Sequence, residues 1–244
     1  LDTGASITAD GGITVNGTGG VSLAGDITAE GSALAFTGPV IAAANITIST
    51  GTGGGNIDLG GAVTGAGVLT LAAGTGDVIF ADGADTGTQN SKIGGLLVSG
   101  ANLTLRNVFS DGALAFTATG TITTNSSYIT DGASITFTGD TVFNHNTIVD
   151  TTDGGSNTGG ANVTFNGTID GDGVDLPSTL TVSAGTAGDV YFDGAVGSTE
   201  ALGAITVTAN TVTLNGNMTT AAAAIDIDAD VLLTSDLTVS TGAT

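Results

Sequence analysis

The chain has 244 residues, with 42 Gly, 44 Thr, no Cys and a formal net charge of −21, from 23 Asp and Glu against two cations, Lys92 and Arg106. So few cations cannot neutralise phosphates, which excludes nucleic acid and insertion into or binding at an anionic membrane; without Cys, neither disulfides nor thiolate metal sites staple the fold. Only 10 % of residues are charged and mean hydropathy is +0.39, the opposite of an acidic disordered tail, and no run of about 18 apolar residues offers a transmembrane helix.

From the N-terminus onward one unit recurs: two apolar residues in alternation, one small or polar residue, then Gly. It runs as Ile13-Thr14-Val15-Asn16-Gly17, Val21-Ser22-Leu23-Ala24-Gly25, Leu34-Ala35-Phe36-Thr37-Gly38 and Ile57-Asp58-Leu59-Gly60-Gly61. Val78-Ile79-Phe80-Ala81-Asp82-Gly83 carries one inserted residue. The unit returns as Ile135-Thr136-Phe137-Thr138-Gly139, Val163-Thr164-Phe165-Asn166-Gly167, Val190-Tyr191-Phe192-Asp193-Gly194 and Val212-Thr213-Leu214-Asn215-Gly216. With Gly25 set aside as part of a turn, successive glycines from 17 to 83 lie 21, 23 and 22 residues apart, and from 139 onward 28, 27 and 22. A period near 22 residues with insertions is the signature of a repeat architecture.

A second short strand precedes each of these units. Leu69-Thr70-Leu71-Ala72-Ala73-Gly74-Thr75 leads through Gly76-Asp77-Val78 to Phe80, and Leu180-Thr181-Val182-Ser183-Ala184-Gly185-Thr186 leads likewise to Phe192. Ile46-Thr47-Ile48 and Ile205-Thr206-Val207 hold the equivalent place in other repeats. Apolar/Thr alternation predicts half-buried strands with Thr outward, and Gly beside Asn or Asp predicts corners at positive φ. Strands this short are stable only when successive turns stack and bury one continuous core. The expected fold is therefore all-β: a parallel β-helix, or β-solenoid, of about ten or eleven rungs. At roughly 4.8 Å per rung it would run for about 50 Å. Residues 1–244 read as a single β-solenoid segment, part of a longer chain or fibre.

The Leu-Thr-Val and Val-Thr-Phe-Asn-Gly units resemble the β-helical passengers of filamentous-haemagglutinin-like adhesins and related large bacterial exoproteins. The resemblance implies a rod-like, extracellular or bacterial cell-surface protein with no catalytic residues.

Three stretches break the period: 82–95, with Lys92; 144–162, with His145; and Asp170-Gly171-Asp172-Gly173-Val174-Asp175-Leu176-Pro177-Ser178. They read as loops leaving the solenoid and as the first places to seek a partner. Catalysis has thin support. A uronate lyase needs cationic groups, and Arg106, Lys92 and His145 fall in different repeats. A glycoside hydrolase needs paired carboxylates, for which Asp170, Asp172 and Asp175 offer only turn-like positions. Tyr128 and Tyr191 are the sole tyrosines, with no Trp to form sugar platforms.

No cofactor is expected. The one metal candidate is structural calcium on Ile225-Asp226-Ile227-Asp228-Ala229-Asp230, where alternation sets three carboxylates on one strand face about 6.8 Å apart. Seven Asn-x-Ser/Thr sequons, such as Asn45-Ile46-Thr47 and Asn102-Leu103-Thr104, follow from the composition. Outward Thr-x-Thr pairs at Thr121-Ile122-Thr123 and Thr206-Val207-Thr208 resemble ice-binding arrays, but a period varying from 21 to 28 residues argues against strict register.

The reading is a non-enzymatic structural protein: an adhesin stalk or extracellular filament component mediating attachment. Its expected partners are a second copy stacked head-to-tail, and host or neighbouring-cell surfaces or their glycans. Ile7 and Ile13 near one end and Leu237-Thr238-Val239 near the other read as interior rungs, which is what such stacking requires. The alternatives are a surface-layer or matrix subunit and a carbohydrate-active β-helix enzyme.

Overall fold

A computed structural model describes residues 2–174 and 176–242. The chain is an all-β parallel β-solenoid of about eleven turns, with no helix among the described residues. It divides into two compact units, Leu1–Gly120 and Thr121–Thr244.

In the first unit three parallel ladders share one core. The first stacks Ile7, Ile27, Ile48, Leu71, Val98 and Phe116 in one-to-one register. The second stacks Ile13, Leu34, Ile57, Val78 and Leu103. The third stacks Val21, Val40 and Val63, then passes through single bridges to Thr86 and Val108. From Val21 onward these inward residues are at most 3 % exposed, while alternate Thr, Ser and Ala face outward, as the two-residue strand period dictates.

The second unit repeats the arrangement. One ladder runs Tyr128, Val149, Val182, Val207, Ile227; another runs Ile135, Val163, Val190, Val212, Val231. The third runs Thr141, Ile169, Val196, Met218, Val239. Its core carries an aromatic column. Phe137, Phe165 and Phe192 stack at centroid spacings of 5.1 and 5.4 Å, and Tyr128 meets Phe137 edge-on at 5.3 Å. Both geometries suit the ring quadrupole, and stacking follows from placing Phe at one register position in three successive turns.

Corner residues lock the register. An Asn or Asp just before the first inward residue of a strand accepts the N–H at the matching position one turn on. Asn45 accepts from Val68 at 2.9 Å, Asn56 from Asp77 at 3.0 Å, Asp140 from Thr168 at 3.0 Å, and Asn162 from Asp189 at 2.9 Å. Asp26, Asp77, Asn146 and Asn217 do the same for Thr47, Asn102, Thr179 and Thr238. Each bond satisfies a backbone donor where the chain bends away from the ladder. The Asn–apolar–Thr sequon is thus the corner itself: an Asn lock, an inward apolar residue and an outward Thr.

The repeat glycines serve a different end from the one the sequence suggests. Gly17, Gly38, Gly61, Gly167, Gly194 and Gly216 are not among the positive-φ residues; of this set only Gly83 and Gly139 are. They form columns in which the backbones of successive turns approach too closely for a side chain. A Cβ on Gly61 would lie 2.6 Å from Gly38 C and 2.7 Å from Pro39 N; one on Gly216 would lie 2.7 Å from Gly194 C and Ala195 N.

Candidate functional site

The three irregular stretches were expected to leave the solenoid as loops, and each instead keeps a place in the core. Within 82–95, Thr86 and Ile93 are fully buried and bridge to the neighbouring turns, while Asp82, Gly83 and the tip, closed by mutual Thr88–Ser91 backbone bonds, stand out. The chain's two cations clamp this excursion from both sides. Arg106 pairs with Asp82 and its Nε donates to Phe80 O, and Lys92, whose side chain is 10 % exposed, lies 3.8 Å from Asp111.

Within 144–162, Thr147–Asp150 is a strand. Asp150, 7 % exposed, accepts the Thr152 N–H and Oγ1–H at 2.6 Å and the Gly154 N–H at 2.9 Å. Thr151 closes the same excursion: its Oγ1 donates to Ala161 O and accepts from Ala161 N, each at 2.9 Å. His145 is exposed at the preceding corner.

Within 170–178, Ile169–Gly171 is also a strand, and Asp170 is spent on structure. Its carboxylate accepts the Thr199 N–H at 2.7 Å and the Glu200 N–H at 3.3 Å. Asp172 is half-buried and accepts the Val174 N–H at 3.2 Å; Asp175 lies outside the described residues. Asp172, Glu200 and Ser178 line a shallow concavity that contains no cation and no aromatic ring. Buried anchors such as Asp150 and Asp170 have no signal in the sequence that separates them from the other Asp-Gly and Asp-Thr pairs.

The three carboxylates proposed for calcium do not share one flat face. Asp226 and Asp228 stand opposite Thr206 and Thr208, in the sheet of Val182 and Val207. The register then shifts, and Asp230 pairs with Thr211 in the sheet of Val190 and Val212. Among the described residues no group of three or more His, Cys, Asp or Glu is placed to hold a metal ion.

One turn has its core positions exposed. Val231 and Leu233 are 50 and 52 % exposed, where Val212 and Leu214 one turn earlier are at most 1 %. One carboxylate on a sheet face is electrostatically perturbed: burial, and then the neighbouring Asp77, hold Asp58 above its ordinary value of 3.8.

The chain matches no protein-family model, no curated protein and no solved structure.

Proposed function

We propose that this chain is a structural segment of a secreted bacterial surface protein, serving as an adhesin stalk or extracellular filament component. The observation that carries the reading is the strict register of the ladders across excursions of unequal length. Interior positions, corner Asn and Asp, both cations and the buried carboxylate of Asp170 all serve to hold turn upon turn. Such a chain resists extension because each turn is bonded along the axis to the next.

A surface-layer subunit is the second reading, favoured by one observation. The outward residues of the first ladder, Thr8, Thr28, Ser49, Ala72, Ser99 and Thr117, are uncharged, which suits lateral packing in a protein of net charge −21. Immuno-electron microscopy of the producing cell separates the two. Label on fibres projecting from the envelope supports the stalk; label on a continuous lattice supports the layer.

A further inference from the structure

Of the two tyrosines, Tyr128 is fully buried, whereas Tyr191 faces outward between buried Val190 and Phe192. Its register neighbours are Thr164 in the preceding turn and Thr213 in the following one. Two rows of amides and carboxylates border this strip. On one side stand Asn162, Asp189 and Asn210: Asn162 accepts the Asp189 N–H, Asp189 accepts from Asn210 Nδ2 at 2.9 Å, and its second oxygen takes the Tyr191 hydroxyl at 3.4 Å. On the other side stand Asn166, Asp193 and Asn215, where Asn166 Nδ2 donates to Thr138 at 3.0 Å and Asn215 Nδ2 donates to Asp193. Asn162, Asn166, Asp193, Asn210 and Asn215 are all exposed.

This is a half-exposed aromatic ring set between paired rows of hydrogen-bond donors and acceptors that repeat once per turn, at roughly 4.8 Å. That interval is close to the advance of one pyranose ring in an extended glycan. The ring can take a sugar's C–H face while amides and carboxylates on either side take its hydroxyls. Charge narrows the class. Residues 121–244 contain no Lys or Arg, and Asp189 and Asp193 flank the ring, so uronates, sialates and sulfated sugars are repelled.

We propose that the outward face centred on Tyr191 is a binding track for an extended, uncharged polysaccharide chain. The proposal stands apart from the stalk reading, because such a track serves a fibre, a lattice or a free domain equally.

Calorimetric titration of the full chain with cellohexaose, xylohexaose, mannohexaose and galactohexaose, and with hexagalacturonate as the charged control, tests it. At least one uncharged hexasaccharide is expected to bind, and hexagalacturonate is not. Tyr191→Ala should weaken binding roughly tenfold, while Tyr191→Phe stays within about twofold. Asp193→Ala, at an exposed position, provides a second arm if Tyr191→Ala fails to fold, and should weaken binding as well. The idea is overturned if none of the four uncharged sugars binds, if hexagalacturonate binds as well as they do, or if folded variants at Tyr191 and Asp193 bind like the parent.

Discussion

Thr86 is a hydroxyl-bearing residue where the fold calls for Val. It is fully buried in the third ladder of the first unit, between Val63 and Val108, and its Oγ1 has no hydrogen-bond partner. Its backbone is fully used: the N–H donates to Asn107 O at 2.8 Å, and the carbonyl accepts from Phe109 N at 2.8 Å. Thr86→Val keeps those bonds and the side-chain shape, and replaces a stranded hydroxyl with a methyl group that packs against two valines. An unsatisfied buried hydroxyl costs about 1–3 kcal/mol, so a gain of about 1–2 kcal/mol is expected. For a chain of this size that corresponds to a melting temperature higher by about 3–6 °C. The same substitution at Thr151 should act in the opposite sense. That residue is equally buried, but its Oγ1 both donates to and accepts from Ala161, so Thr151→Val strands a backbone N–H and costs about 1–3 kcal/mol. Thermal denaturation followed by circular dichroism reads both. If Thr86→Val melts at or below the parent, or if the two variants shift in the same direction, the reasoning from hydroxyl satisfaction is wrong.

Gly61→Ala should destabilise by about 1–3 kcal/mol despite an ordinary φ, since its Cβ meets backbone atoms that cannot rotate away; an urea midpoint equal to the parent's would count against the column argument. Ala222→Gly should stabilise by about 1 kcal/mol, because Ala222 holds a φ of 51°, a left-handed conformation that glycine adopts without a Cβ clash; the same melt checks it. Asp58 is easier to protonate folded than unfolded, so its charge opposes folding above its raised pKa, and this penalty fades as pH falls through that value toward 3.8. Asp58→Asn should therefore raise stability at pH 7 and lose that advantage near pH 3, which melts across a pH series would show or refute. With its carboxylates divided between two sheets, the Asp226–Asp230 strand should give an EDTA-treated sample the melting temperature of a calcium-supplemented one; a loss of several degrees would establish a calcium site.

How far the sequence could be read depended on whether alternation was unbroken. Val163-Thr164-Phe165 and Val190-Tyr191-Phe192 declare their inward and outward sides, and the structure stacks them as that alternation requires. Strands whose inward positions are polar carry no such mark. In Ser127–Thr130 the buried residues are Tyr128 and Thr130, and in Thr147–Asp150 Thr147 and Val149 point inward while Ile148 is 42 % exposed. Hydrophobicity alone would assign the opposite parity around Ile129 and Ile148. Thr86 and Ile93 were illegible for a related reason, since each enters the core as a single bridging residue with no alternation around it. The repeat glycines were located correctly, but only Gly83 and Gly139 hold the expected positive φ; the column of close backbone approaches that the others form exists only between turns.

The surface strip around Tyr191 shows the same limit. Its residue types are visible one at a time, yet their meeting depends on three turns in register, which the uneven spacing of 28, 27 and 22 residues conceals. The insertions that blur the period are absorbed at corners and excursions, so the strands stack in register regardless of length. The uneven period therefore carries less weight against ordered surface arrays than it appeared to from spacing alone.

The account turns on stacked turns being the functional object, and electron cryo-microscopy of the native assembly tests it most directly. The account predicts fibres projecting from the cell surface, with a repeat near 4.8 Å along their axis. Compact particles, or a two-dimensional lattice with no fibre, would contradict the stalk reading.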